Sequence, residues 1–252
     1  MLEALEDHGI YPDCVSGTSI GAFIAALYAF GKTPKEILKL IEHLELFDVA
    51  SLRLSKMGIM SHQQIGKLIT DAIGDKNIED APMPLAIVST NVVSGRRHVF
   101  CKGSVAQAVL ASTAIPGIFH PVILDDEILV DGGLVENVPI SPLRELGAEC
   151  VVGVNLNGSP EYGQPQDAFD ILLNATDIAL DNTTRLQLTK ADAVIELCLS
   201  EFSRNDPKQI TGLYNAGYRS ASKQIGKVTT AMKEANIGPL DLLEKKWREW
   251  TQ

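Results

Sequence analysis

Histidine is scarce in this 252-residue chain and stops early: His8, His43, His62, His98 and His120 are all of it. A serine hydrolase built in the order Ser, acid, His needs a histidine beyond its acid. No such order can use an acid that follows residue 120. Cysteine is as thin. Cys14, Cys101, Cys150 and Cys198 stand singly, which argues against disulfides or a metal site and for small buried hydrophobes in a reducing compartment. Positive charge is short, with 22 Lys and Arg against 32 Asp and Glu and a net charge of −10. A phosphate backbone finds no cationic face here, so nucleic acid is excluded as a partner, and anionic membranes gain no general attraction. At most peripheral membrane contact is expected. No apolar run reaches the length of a membrane span, and Met1 to Asp7 carries acids where a signal peptide has its positive region. These absences point to the cytoplasm.

What is present centres on one stretch. The apolar lead-in Cys14-Val15 runs into Gly17-Thr18-Ser19-Ile20-Gly21, and an almost wholly apolar segment, Ala22 to Phe30, follows at once. This is the pattern of a nucleophile elbow, a buried strand turning sharply into a buried helix with Ser19 at the tip. Gly17 and Gly21 remove Cβ atoms that would collide in so tight a turn. The helix start aims free N–H groups at the site, Ile20 N–H foremost, where they favour a developing oxyanion. Taken alone, Gly-x-Ser-x-Gly is also compatible with an inert turn.

Around this stretch helices and buried strands alternate, which predicts an α/β fold with helices on both faces of a mainly parallel sheet. No repeat or linker interrupts the chain, so one domain over 1–252 is expected. Thr33 and Glu36 form a capping box for a helix after Pro34, and Ser61 and Gln64 suggest another for a helix ending at Ile73. Ser51 to Met60 reads as an irregular connector. Hairpins are expected over Leu85 to Cys101 and over Val122 to Val130, the second turning on Asp125-Asp126-Glu127. Cys150 to Leu156 and Ala193 to Leu199 read as strands. Ala168 to Lys190, Pro207 to Glu234 and Leu240 to Trp250 read as helices.

A serine hydroxyl needs a base. His120, in a proline-rich approach to a strand, would have to work with a carboxylate upstream of it. Asp131 ends a strand, and Gly132 and Gly133 after it allow another backbone to come close. A carboxylate within reach of Ser19 could take the proton itself. Asp-Gly-Gly in isolation reads more readily as part of a hairpin or turn, so the residues alone leave the base open.

Several segments, in order, resemble the patatin-like phospholipase family, in particular its small stand-alone bacterial members. They are Gly17-Thr18-Ser19-Ile20-Gly21-Ala22, Ala111-Ser112-Thr113-Ala114-Ile115-Pro116-Gly117, Val130-Asp131-Gly132-Gly133-Leu134-Val135 with Asn137-Val138-Pro139, and Leu146-Gly147-Ala148 leading into Val151 to Leu156. The resemblance implies a three-layer α/β/α sandwich and a Ser/Asp dyad without histidine. In it Ser19 is the nucleophile and Asp131 the general base, acting on acyl esters of lipids, and no metal or organic cofactor is needed. The family also opens on a strand and a Gly-Gly-Gly-x-Arg/Lys-Gly loop that supplies most of the oxyanion hole, and residues 1–252 contain neither. Relative to the family the domain is N-terminally incomplete, and an unpaired edge beside Cys14-Val15 is expected. Three functions therefore stand: a serine acyl hydrolase, a weak or inactive acyl-lipid-binding or regulatory protein on the same fold, and an α/β-hydrolase esterase using His120. Homo-oligomerisation is left open.

Overall fold

The computed structural model describes residues 1–42, 57–158, 162–197, 199, 202 and 209–237. His43, Ser51 to Lys56, Cys198 and the expected helix Leu240 to Trp250 lie outside them.

Strand β1 (Val15–Thr18) leads directly into helix α2 (Ile20–Ala29), after a short first helix α1 (Leu2–Asp7). Helix α2 has no polar face, and seven of its ten residues are buried, Phe23 and Leu27 among them. That is what its composition requires, because an all-apolar helix must be covered all round. Helix α3 (Pro34–Glu42) starts as read. Thr33 N–H and Oγ1–H both donate to Glu36 Oε2, and Glu36 N–H donates back to Thr33 Oγ1.

Helix α4 runs from Met57 to Ile73, so Ser61 and Gln64 lie inside it rather than capping it, and Met57 to Met60 are helical rather than irregular. Strands β2 (Leu85–Asn91) and β3 (Arg96–Phe100) form the first hairpin, helix α5 spans Val105–Ser112, and β4 (Val122–Leu124) with β5 (Glu127–Asp131) forms the second. The second hairpin turns on Asp125 and Asp126, both at positive φ (47° and 62°), as a two-residue turn with the right twist demands. Then follow α6 (Gly133–Glu136), α7 (Ile140–Glu145), β6 (Val152–Asn155), α8 (Ala168–Leu188), β7 (Ala193–Glu196) and α9 (Ile210–Glu234).

The sheet is mixed rather than mainly parallel. β1 and β2 run parallel, but β2 pairs antiparallel with both β3 and β5, and β5 pairs antiparallel with β4. Two hairpins supply those strands, and a hairpin can only return antiparallel. β6 and β7 pair in parallel as a two-stranded sheet. Among the described strands, none pairs with the outer edge of β1.

Side chains alternate across a strand, and here the alternation sorts the layers. Leu85, Ile87, Phe100 and Leu129 pack with Phe23, Leu27, Val105 and Val109 on one face. On the other, Ser16 Oγ donates to Pro139 O and Thr18 Oγ1 to Glu136 O, bringing α6 and α7 against β1. The layers are therefore helix, sheet, helix. A second apolar cluster joins Ala4 and Leu5 of α1 to Ile195 of β7 and to Ala221, Ile225 and Val228 of α9.

Candidate active site

Strand parity brings the two halves of the site together. Val15 N–H donates to Pro84 O, and Val92 N–H donates to Ile128 O. Along an unbroken strand alternate residues turn their backbone groups to the same edge. Pro84 and Val92 are an even number of positions apart, so β1 and β5 share one edge of β2, leaving the other to β3. They meet end to end. The last residue of β1, Thr18, registers with Val88, and the last of β5, Asp131, registers with the next residue, Ser89. β1 runs along β2 and β5 against it, so both carboxyl ends arrive at this junction, and both chains must leave the sheet there.

The departures need glycine. A Cβ on Gly17 would overlap the backbone of Gly21 and Ala22, and one on Gly132 would overlap the Val88 carbonyl. Gly133 stands tighter than usual too, with a Cβ 3.1 Å from Asp131 Oδ1. Gly21 is different: a Cβ there meets nothing within 4 Å. The crowding expected at Gly21 falls instead on its backbone, which Gly17 approaches.

At the tip Ser19 has φ 55° and ψ −128°, a left-handed conformation that costs a non-glycine residue on the order of 1–3 kcal/mol. Its Oγ–H donates to Asp131 Oδ2 at 2.6 Å. Asp131 Oδ1 accepts from Gly133 N–H at 2.8 Å, and its backbone is tied by Thr90 Oγ1 to its carbonyl and by Ala114 O to its N–H. Asp131 is 8% exposed. Burial raises its pKa above the ordinary carboxylate value, against the downward pull of the Ser19 and Gly133 hydrogen bonds. A buried, proton-seeking carboxylate faces a half-buried hydroxyl. Ile20 is the first residue of α2, so its N–H has no intrahelical acceptor and stands at the positive end of the helix, beside Ser19.

Among the described residues no histidine hydrogen-bonds Ser19 or Asp131. His8 bonds Ala4 O, and His98 pairs with Glu127. His62 is buried against Leu110 O and Thr113 Oγ1 and stacks on Phe119, and its burial lowers its pKa. His120 is exposed on the loop before β4 and makes no hydrogen bond to Ser19 among the described residues. One site neighbour escaped the sequence reading. Ser112, wholly buried at the end of α5, accepts from Ser19 N–H at 2.9 Å and donates to Val88 O at 2.6 Å. The sequence places it only inside a matched segment, since its role depends on strands far away in the chain.

The family model for patatin-like phospholipases matches residues 1–144, more than half of the chain. This chain belongs to the patatin-like phospholipase family. The match contains Ser19 and Asp131 together with the junction that joins them. An uncharacterised NTE family protein of Mycobacterium tuberculosis is 29% identical over 170 residues, covering 67% of this chain and 47% of that protein. Lysophospholipase NTE1 of Cryptococcus neoformans var. neoformans is 30% identical over 179 residues, 68% of this chain and 11% of its own length. The corresponding enzyme of Yarrowia lipolytica is 29% identical over 184 residues, 69% and 13%. This patatin-like chain thus spans under half the length of the mycobacterial relative and little more than a tenth of the fungal ones. Among its described residues no helix is long and apolar enough to cross a membrane, and no cluster of side chains could hold a metal ion.

Proposed function

We propose that this patatin-like chain is a serine acyl hydrolase of lipid esters working through a Ser19–Asp131 dyad. The observation that carries the reading is the 2.6 Å hydrogen bond from a strained Ser19 to a buried Asp131. Ser19 Oγ attacks the ester carbonyl carbon as Asp131 Oδ2 takes its proton. The tetrahedral oxyanion forms against Ile20 N–H and the amino end of α2. Collapse breaks the ester C–O bond, and Asp131 returns the proton to the leaving alkoxide. Water then attacks the acyl-Ser19 carbonyl with Asp131 again as base, releasing the acid and restoring the serine. Relatives named lysophospholipase support single-chain glycerophospholipids as the first substrates to try.

A second reading, an acyl-lipid-binding protein of little or no activity, is favoured by one observation: Ser19 N–H is already spent on Ser112 Oγ, which leaves Ile20 N–H as the first elbow donor for an oxyanion. Losing one preorganised oxyanion donor typically costs on the order of 10²–10³ in rate. Weak turnover is accordingly expected from this polypeptide alone. The test is hydrolysis of a short p-nitrophenyl ester and of lysophosphatidylcholine, with Ser19→Ala as blank. A parallel version carries a strand and Gly-Gly-Gly-x-Arg-Gly loop ahead of Met1. Serine-dependent turnover that rises with the added loop supports the hydrolase. Lysolipid binding without serine-dependent turnover in either version supports the second reading.

A further inference from the structure

The rungs of the β1–β2 ladder can be counted. Val15 N–H donates to Pro84 O, and the register advances in step to Gly17 opposite Ile87 and Thr18 opposite Val88. In a parallel pair every second residue of a strand carries its bonds to that neighbour. The next donors are therefore Gly17 N–H, directed at Ala86 O, and Ser19 N–H, directed at Val88 O. The last rung does not close directly. Ser19 N–H donates to Ser112 Oγ, and the Ser112 hydroxyl donates to Val88 O. One side-chain oxygen has been spliced into a backbone hydrogen bond.

We infer that Ser112 is a positioning residue whose hydroxyl acts as the spacer that lifts Ser19 off the sheet and sets it against Asp131. This role presupposes Ser19 as the nucleophile. A direct rung would keep Ser19 extended in the plane of β2. The inserted oxygen lengthens the link while leaving neither Ser19 N–H nor Val88 C=O unpaired, each of which would be costly at a buried junction. The hydroxyl has a single proton, committed to Val88 O, so the lone pair facing Ser19 can only accept. Ser19 N–H is thereby consumed, and Ile20 N–H is left as the first donor free to meet an oxyanion. The same turn also reaches the other half of the site: Ser112 O accepts from Gly132 N–H at 3.4 Å, and Ala114 O from Asp131 N–H at 2.9 Å. Serine and aspartate are held by one short segment, so their separation is set there.

The test compares Ser112→Ala, Ser112→Cys and, as a control for loss of a packed hydroxyl, Ser222→Ala. Ser222 is half-buried on α9, and its hydroxyl donates to Tyr218 O within that helix. Phosphonylation by a fluorophosphonate and short-ester kinetics are corrected for folded fraction. Amide hydrogen exchange is followed at Ser19. Ser112→Ala should slow phosphonylation and kcat on the order of 10²-fold, as a misplacement of about 1 Å can, with KM unchanged and Ser19 exchange accelerated relative to Val88. Ser112→Cys, which keeps a weaker and longer link, should fall between, and Ser222→Ala should match wild type per folded molecule. Wild-type labelling and unchanged Ser19 exchange in Ser112→Ala overturn the inference. If that variant does not fold, wild-type behaviour of Ser112→Cys overturns it, and failure of both to fold reduces Ser112 to a folding requirement. If wild type itself does not label while Ser19 exchange responds to Ser112→Ala, the spacer stands and the nucleophile reading is what fails.

Discussion

Asp131 accepts two hydrogen bonds, from Ser19 and Gly133, yet burial holds its pKa above the ordinary carboxylate range. A carboxyl whose folded pKa exceeds its unfolded one binds more protons in the folded state between the two values. Stability therefore falls as pH rises through that window, and above the folded pKa the full cost is present. Asp131→Asn keeps the shape and removes the charge. Its melting temperature should exceed that of wild type at neutral pH. The gain should vanish in acid below the ordinary carboxylate pKa, where Asp131 is protonated in both states. Melts across pH check this, and a gain that persists in acid would show that charge burial is not its source. The same shift has a kinetic face: if Asp131 is the base, the acid limb of kcat/KM should lie above the ordinary carboxylate value.

At the scale of the element, the elbow distinguishes its two glycines. A Cβ on Gly17 would overlap the Gly21 backbone, so Gly17→Ala should fail to fold or displace Ser19. Gly21→Ala, with open space around its Cβ, should keep the fold and gain about 0.4–1 kcal/mol from the reduced freedom of the unfolded chain. Thermal melts of the two variants separate these outcomes. The elbow itself was legible because its signals are local: an apolar lead, two glycines and an all-apolar helix in one stretch. The Asp125-Asp126 turn and the Thr33–Glu36 box were legible for the same reason. Ser61 and Gln64 have the same spacing, but they lie within a helix that begins at Met57. A capping pattern says nothing of whether helix already precedes it.

At the scale of the whole molecule, the non-local part of the site was hidden. That β1 and β5 share an edge of β2 and abut at Val88 and Ser89 follows from strand order, which alternating helices and strands do not determine. The same alternation suggested a mainly parallel sheet, and the two hairpins made it mixed. Ser112 belongs to this hidden class as well, since a hydroxyl spliced into a ladder has no sequence signature apart from the strands it joins. The resemblance, by contrast, carried the Ser19 and Asp131 assignments across that gap, and the family match covers both residues. In the proposed chemistry Asp131, without a histidine, activates Ser19. Labelling with a fluorophosphonate, followed by mass spectrometry of the modified peptide, tests it most directly. The label is expected on Ser19 in wild type and in His120→Gln, and it should be lost or strongly slowed in Asp131→Asn. Label on another residue, none in wild type, or undiminished Ser19 labelling in Asp131→Asn would contradict it.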